Sequence, residues 1–163
     1  AAADLLAQAE HDEMAMPLLA TDSAPYAREV AKEVELQLEL LERRQIAADS
    51  IKSRGAILLV RNRRQAEEFS NRFAPEHLEL LSKDARAWLP NLRHAGALFI
   101  GAHSPEAFGD YTAGPNHVLP TGGTARFSSG LSVFDFLKRT NMLEVKKTGV
   151  RALGKATVDF ASQ

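Results

Sequence analysis

The sequence predicts an α/β fold of the doubly wound type, with a mostly parallel sheet and a small C-terminal appendage of strand or helix. Short, continuous apolar runs alternate with segments in which apolar residues recur at three- and four-residue steps, as in amphipathic helices. Continuous apolar runs are typical of parallel strands that are covered on both faces. A chain of 163 residues with 45% hydrophobic content is long enough to bury a core. We predict an α/β domain over residues 1–125 and the appendage over residues 126–163.

The first half of the chain predicts three helices and two strands. In order, these are a helix over residues 2–11, a strand over 16–20, a helix from 24 to 41, a helix over 43–54 and a strand over 56–60. Asp22 and Ser23 are residue types that cap helices, and Pro25 is tolerated in a first turn. Gly55 is expected to end the third helix.

The second half continues the same alternation. It predicts a helix over residues 63–73, a strand over 78–81, a helix capped by Asp84 and a buried strand over 96–100. Strands and helices that alternate at these lengths indicate right-handed crossovers and a largely parallel, Rossmann-like or flavodoxin-like sheet. Beyond Thr121 the pattern changes. Residues 134–145 could form a strand or a helix, and residues 148–162 predict an amphipathic helix.

Composition excludes several classes of protein. The chain has 20 basic and 21 acidic residues, a balance that argues against a nucleic-acid partner. No apolar run has the length of a membrane span, and we see no secretory signal. Because the chain has no cysteine, any metal must be held by histidine, carboxylate or amide oxygen. We expect a cytoplasmic protein.

A stretch rich in glycine and proline, Phe108–Thr121, is the first candidate site. Glycine or proline stands at positions 109, 114, 115 and 120, so the stretch is not expected to hold a regular helix or a central strand. It carries a carboxylate, Asp110, and an imidazole, His117. A solvated turn is the simpler interpretation. Polar side chains on irregular backbone are, however, typical of binding and catalytic sites.

Two further pairs of residues can carry chemistry. Gln8 and His11 lie three apart on a predicted helix and share one face, so their amide oxygen and imidazole could bind zinc, although a solvated helix face is the simpler interpretation. Glu76 and His77 precede a predicted strand, and such a pair can accept protons near neutral pH. A structural hydrogen-bonding role for the histidine is the alternative. The sequence has no G-x-G-x-x-G motif, phosphate-binding loop or serine elbow, so it predicts no cofactor-binding residues of its own.

Three segments together resemble motifs of the histidinol dehydrogenase family. They are Gln8–His11, Pro75–Leu78 and Gly109–Thr121, in that family's order and at about its spacing. Further similarity at residues 97–101, 104–106 and 127–129 extends the resemblance over essentially the whole chain. The family oxidises L-histidinol to L-histidine through an aldehyde, in histidine biosynthesis, using zinc and two NAD molecules in succession.

The resemblance implies a role for each of the six candidate residues. The zinc ligands would be Gln8, His11 and Asp110; the catalytic pair would be Glu76 and His77; and His117 would lie beside the substrate, which all six would contact. In this chemistry the histidine removes the hydroxyl proton of the alcohol, and the glutamate activates the water that adds to the aldehyde. Zinc would orient the substrate through its amine and imidazole nitrogens.

The family's chain is much longer, which shapes the expectations for this one. The resemblance implies a C-terminal portion of a homodimeric enzyme with a shared active site, and the NAD site would lie largely outside the chain. The isolated chain is then expected to be inactive or incomplete. Two alternatives remain open. One is a related zinc dehydrogenase of small sulfonated diols, and the other is a non-catalytic α/β scaffold that retains vestigial metal ligands.

Overall fold

The computed structural model describes residues 1–163 and confirms the α/β class that the sequence predicts. The α-helices are α1 Ala2–His11, α2 Ala24–Leu38, α3 Arg44–Arg54, α4 Arg63–Phe73, α5 Glu106–Tyr111 and α6 Lys147–Ala161. The strands are β1 Leu18–Thr21, β2 Ala56–Leu59, β3 His77–Leu80 and β4 Ala97–Ile100. Short 3₁₀ helices span Ala85–Asn91, Thr124–Arg126 and Val133–Phe136.

The strands pair in parallel, as two sheets of two strands each. β1 pairs with β2, with Leu18 opposite Ala56. β3 pairs with β4, with His77 opposite Ala97. Each pair is joined through intervening helical segments, which is the connection that parallel strands require. The parallel pairing expected from the alternating pattern is therefore present.

The helix α1 forms the centre of the hydrophobic core. It packs against α2 and α3, and the buried cluster comprises Ala2, Leu6, Val30 and Val34. Helix α2 starts where predicted, because the Ser23 hydroxyl accepts a hydrogen bond from the Tyr26 N–H. The buried face of α1 thus fixes the position of the helix on which two candidate ligands lie.

Two strands predicted to be buried are more exposed than expected. In β2 the side chains of Ile57 and Leu59 are 37% and 59% exposed. In β4 no residue is fully buried, and Leu98 is 37% exposed. An apolar run selects an extended backbone locally, but burial depends on elements that cover both faces. No residue of β2 or β4 is fully buried, so the prediction of strands buried on both faces is wrong for this chain.

The region after residue 131 also departs from the prediction. Two compact units are distinguished, Ala1–Leu131 and Ser132–Gln163, and the predicted domain boundary at residue 125 stays a prediction. Residues 134–145 form neither a strand nor an α-helix. They contain only the end of a 3₁₀ helix that Ser132 and Asp135 cap reciprocally. The predicted amphipathic helix over 148–162 is confirmed as α6.

The helix predicted after Asp84 is a 3₁₀ helix instead of an α-helix. It contains Pro90, which has no N–H to donate, so a continuous α-helical ladder is interrupted there. The side chain of Asp84 accepts a hydrogen bond from Trp88 Nε1 at 3.2 Å rather than capping the backbone.

None of the helices combines the length and the apolar character that a membrane crossing requires.

Candidate metal and proton-transfer site

Three segments that are distant in sequence meet at one place in the first compact unit. The last turns of α1 carry Gln8 and His11, and the start of β3 carries His77. The short helix α5 carries Asp110 and, one turn earlier, Glu106. Hydrogen bonds and close charged contacts join all three segments. The structure thus brings together the motifs that the sequence singled out separately.

The imidazole of His77 lies at the centre of this site and is only 7% exposed. Its Nδ1 atom is 3.0 Å from Oε1 of Gln8 and 3.6 Å from Oε1 of Glu106. Its Nε2 atom is 3.6 Å from Oδ1 of Asp110 and has no hydrogen-bond partner although it is buried. A buried polar atom without a partner is uncommon in folded proteins. Nε2 of His77 is therefore available to a substrate or another ligand.

His11 stands on the more open side of the same group. Its side chain is 48% exposed, and its Nε2 atom lies 3.0 Å from Oε1 of Glu106. The imidazole rings of His11 and His77 are nearly parallel, with 6.4 Å between their centroids. Glu106 therefore contacts one histidine that faces solvent and one that is enclosed.

The site contains a set of ligands suited to a divalent cation. One ligand atom from each of His11, Glu106 and Asp110 lies within 4.8 Å of the other two. Imidazole and carboxylate are ligand types that zinc accepts. Gln8 lies beside this group, with its amide oxygen directed to His77. A carbonyl oxygen has two lone pairs, so this contact leaves a second acceptor position on Gln8. The residues present therefore fit a zinc ion.

Glu76 supplies a carboxyl group whose acidity is altered by the site. Burial raises the pKa of Glu76 above its ordinary value, and the nearby carboxylates of Glu106 and Asp110 raise it further, while His77 and His11 act in the opposite direction. A carboxyl with a raised pKa takes up a proton closer to neutral pH than an ordinary glutamate does. This environment suits a group that receives a proton from water.

The backbone before Glu76 is held in an unusual conformation. Helix α4 ends at Phe73, and the buried Ala74 adopts a left-handed conformation with φ of 55°. Such a conformation costs roughly 1–3 kcal/mol in a residue other than glycine and persists only where the surroundings impose it. The Glu76 carbonyl accepts a hydrogen bond from the Ala97 N–H at 2.8 Å. A Cβ atom on Gly96 would lie 2.6 Å from that carbonyl, so β4 approaches as closely as glycine allows.

Asp110 lies on a helix, which corrects the prediction that Phe108–Thr121 holds none. Helix α5 covers Glu106–Tyr111 and so includes the first four residues of that stretch. Gly109, which lowered the expectation of a helix, faces the ring of Phe99, where an added Cβ would stand 2.6 Å from a ring carbon. The glycine is needed for close packing and is compatible with the helix. The irregular part begins at Thr112.

His117 is not brought into the cluster by any direct contact. Its side chain is exposed in the loop after α5, and no hydrogen bond or ion pair joins it to the other candidate residues. A cavity of about 330 Å³ opens beside Asp110, and its lining includes Phe99, Pro115 and Asn116. His117 follows directly after this lining, so the loop that carries it borders the cavity.

The structure adds Glu106 to the residues that sequence reasoning selected. Glu106 is 5% exposed and is the carboxylate that contacts both His11 and His77. A signal for it was present in the sequence. Proline followed by an acidic residue is typical of a helix start, and a helix starting there places residues 106 and 110 one turn apart on the same face.

The fold and the site define an α/β protein with an enclosed histidine–carboxylate centre suited to a divalent cation and to proton transfer. The family model for histidinol dehydrogenase matches residues 1–163. The chain therefore belongs to the histidinol dehydrogenase family, as its three motifs predict.

Individual relatives agree with the family assignment. The chain is 53% identical over 160 residues to histidinol dehydrogenase of Ruegeria pomeroyi and 52% identical over 160 residues to that of Gluconobacter oxydans. Each alignment covers 98% of this chain and 37% of the relative. The crystal structure of histidinol dehydrogenase from Elizabethkingia anophelis is similar with a TM-score of 0.85 and 35% identity, covering 99% of this chain and 37% of that one. The chain thus spans a little over a third of the length of these relatives.

Proposed function

We propose that this chain provides the zinc-binding and proton-transfer part of a histidinol dehydrogenase, which oxidises L-histidinol to L-histidine in two NAD-dependent steps. Membership of the family supports the reaction, and one observation of the structure carries the proposal. His77 is held between α1 and α5, with its Nε2 atom buried and free of hydrogen-bond partners. A base for the hydroxyl of a bound alcohol requires such an atom.

His11 and Asp110, with Gln8, would hold zinc in this proposal. The imidazole and the carboxylate belong to the set of ligand atoms that converge within 4.8 Å, and the amide oxygen adjoins it. Zinc, when bound, supplies a Lewis acid that fixes the amine and imidazole nitrogens of the substrate and so orients its alcohol. The cavity beside Asp110 offers space for a small molecule, and we propose that His117 contacts the substrate from the loop at its border.

Two proton transfers are assigned to residues of this chain. In the first oxidation, Nε2 of His77 takes the hydroxyl proton as a hydride leaves the carbinol carbon, which yields the aldehyde. Water then adds to the aldehyde, and Glu76, whose pKa is raised by burial, takes a proton from that water. Loss of a second hydride from the hydrate gives the carboxylic acid. NAD, when bound, supplies the hydride acceptor in both oxidations, and we propose that its site lies largely outside these residues.

A homodimer with a shared active site is part of the same proposal, as is a cytoplasmic location. Support for self-association comes from the second compact unit, in which α6 has no buried residue. Large apolar side chains of that unit are exposed, including Phe134, Phe136 and Phe160. Exposed apolar surface of this extent is typical of a protein interface.

Variants of the catalytic pair test the proposed function in the full natural protein that contains this sequence. His77→Ala should lower NADH formation from histidinol by about 10²–10⁴-fold, because general acid–base groups contribute that much. Glu76→Gln should abolish oxidation of the aldehyde to histidine. Both variants should retain zinc, and His94→Ala, which alters a histidine in a groove with residues of α4, should retain activity. Wild-type activity in both catalytic-pair variants would contradict the assignment.

The two alternatives can be tested alongside. The relatives from R. pomeroyi and G. oxydans are named histidinol dehydrogenase, which does not favour a dehydrogenase of sulfonated diols. A substrate panel of histidinol and a sulfonated propanediol checks this directly. A non-catalytic scaffold with vestigial ligands should bind zinc no better than its Gln8→Ala variant, whereas we expect that variant to bind zinc more weakly.

A further inference from the structure

We propose that Glu106 is a positioning residue for the general base. Its buried carboxylate, together with Gln8, keeps the proton of the neutral imidazole on Nδ1 of His77, so that Nε2 is the atom that receives the substrate's hydroxyl proton. This inference rests on the proposed function and deepens it, because the residues assigned to the reaction so far do not include Glu106.

The burial of Glu106 indicates that its carboxylate interacts mainly with the two neighbouring histidines. The residue is 5% exposed, and its carboxylate lies 3.0 Å from Nε2 of His11 and 3.6 Å from Nδ1 of His77. No lysine or arginine forms an ion pair with it. A buried carboxylate is costly unless it is paired and hydrogen-bonded. The two imidazoles are therefore the groups that make this buried position tolerable.

The helix that carries Glu106 is fixed to the strand that carries His77. The Glu106 N–H donates a hydrogen bond to Oε1 of Glu79, a residue of β3, at 3.1 Å. His77 is the first residue of the same strand. The carboxylate and the imidazole are thus supported by adjoining parts of one framework, as orientation of a catalytic side chain requires.

The contacts of Nδ1 determine which ring nitrogen carries the proton. An ionised carboxylate can only accept hydrogen bonds, so Glu106, 3.6 Å from Nδ1, favours an N–H on that nitrogen. Asp110 lies equally far from Nε2 but is a zinc ligand in the proposed site, and only Nδ1 has a further acceptor, Gln8, at 3.0 Å. The amide of Gln8 could present either its oxygen or its NH₂ group to His77. With the carboxylate of Glu106 fixed 3.6 Å from Nδ1, the oxygen is the favoured choice, and Oε1 of Gln8 then accepts the hydrogen bond from Nδ1–H at 3.0 Å. The lone pair of the neutral ring is left on Nε2, which has no hydrogen-bond partner.

The same carboxylate could instead act as a metal ligand, since an oxygen of Glu106 lies within 4.8 Å of ligand atoms of His11 and Asp110. The surroundings favour positioning. Asp110 lines the cavity beside the site and Glu106 does not. Of the three residues, Glu106 is also the only one that is fully buried. Metal content is therefore measured as a separate outcome.

Glu106→Gln and Glu106→Met, made in the full natural protein, test the proposal. We expect kcat for histidinol to fall about 10–100-fold in Glu106→Met, the range for loss of a group that orients a site residue. The fall should be smaller in Glu106→Gln, whose amide oxygen can still accept from Nδ1–H. KM and zinc content should remain close to those of the wild type. In protein labelled with ¹⁵N-histidine, the His77 ring signals should move from the Nδ1–H form towards a mixture of tautomers.

Glu67→Gln is the matched control, since Glu67 is buried to a similar extent but is paired with Arg63 and Asn91. It should leave kcat and the His77 signals unchanged. Unchanged kcat, or an unchanged tautomer, in both Glu106 variants would overturn the proposal. A loss of zinc in proportion to kcat would also overturn it, because Glu106 would then be a ligand. If Glu106→Met does not fold, the conservative Glu106→Gln variant decides.

The proposed function and this inference can fail separately. A wild-type protein that does not oxidise histidinol contradicts the proposed function. The ¹⁵N signals of His77 still report, in that protein, whether Glu106 sets the tautomer.

Discussion

At the scale of single residues, Gly109 is an example of a helix position where packing, and not helix propensity, determines the residue type. Glycine inside a helix is about 1 kcal/mol less favourable than alanine, so Gly109→Ala would ordinarily stabilise α5. Here the added Cβ would stand 2.6 Å from the Phe99 ring. That ring lies 5.9 Å, centroid to centroid, from the imidazole of His77. A change at Gly109 therefore reaches the proposed base through one side chain.

We predict that Gly109→Ala destabilises the full natural protein by about 1–3 kcal/mol, the usual effect of overpacking. Urea unfolding measures the change. Gly154→Ala is the control, because a Cβ at that position of α6 meets no atom within 4 Å, and it should be neutral or stabilising by up to about 1 kcal/mol. If both substitutions stabilised the protein, the Phe99 ring would have moved away from the added Cβ at no cost in free energy, and the prediction would be contradicted.

Residue types identified most of the site, but they could not rank its members. Gln8, His77 and Asp110 were selected for their chemistry, and the structure brings them into one cluster. Glu106 received no role, because the sequence predicted no helix that would place it beside Asp110. Its function depends on contacts with His11 and His77 across long sequence separations. Such contacts cannot be seen in local spacing.

At the scale of elements, Glu79 links the parts of the structure that carry the site. It lies on β3, accepts a hydrogen bond from the Glu106 N–H of α5 and is close to Asp4 of α1. Burial raises the pKa of Glu79 from about 4.5 to about 7, and the neighbouring carboxylate of Asp4 adds to the effect. The Glu106 N–H acts in the opposite direction. The protonation of Glu79 therefore affects its contacts with both α1 and α5.

The raised pKa of Glu79 predicts a pH dependence of stability. Between pH 4.5 and about 7 the folded protein retains a proton that the unfolded chain has lost. This contribution to stability is present at low pH and is lost as the pH rises through 7. Glu79→Gln cannot ionise, so it should be more stable than the wild type at pH 8 by about 1–2 kcal/mol, a figure reduced for partial exposure.

Urea unfolding at pH 5 and pH 8 measures this difference. Glu68→Gln on α4, where the carboxylate is exposed and paired with Arg64, should show no such effect. Parallel pH profiles for Glu79→Gln and the wild type would contradict the account of Glu79.

Strong local signals predicted elements well, and tertiary packing decided the rest. The periodic apolar residues and the stops at His11 and Gly55 gave helix limits that agree with α1 and α3 to within a residue. The apolar runs of β2 and β4 gave strands in the right places. Their exposure could not be predicted, because burial depends on what lies over the strands. Helix α5 was missed because Gly109 weakens a helical pattern. The close contact with the Phe99 ring, which cannot be seen in the sequence, explains why glycine stands at this position.

At the scale of the whole molecule, the apolar surface of residues 132–163 is the most informative feature. Phe136 is 77% exposed and Phe160 is 82% exposed, and α6 has no buried residue. Side chains of this size stabilise an interface by about 1.5–3 kcal/mol each when they are buried. The proposed homodimer offers a partner surface for them.

We therefore predict that the full natural protein self-associates and that Phe160→Ser raises the dimer dissociation constant about 10–100-fold. Sedimentation equilibrium measures this constant. Lys155→Ala, which removes an exposed ion pair with Asp159 on the same helix, should change it little. A wild-type protein that is monomeric at all concentrations, or a Phe160→Ser variant that associates like the wild type, would contradict the prediction.

We propose that this chain carries the zinc and proton-transfer centre of a two-step alcohol oxidation. The most direct test is the amount of NADH formed per histidinol consumed by the zinc-loaded full natural protein, beside its His77→Ala variant. Oxidation of an alcohol to an acid releases two hydrides, so we expect two NADH for each histidine produced by the wild type. In His77→Ala, with zinc still bound, we expect the rate of NADH formation to fall by about 10²–10⁴-fold. A zinc-loaded wild type that forms no NADH from histidinol, or a His77→Ala variant that matches it, would contradict the claim.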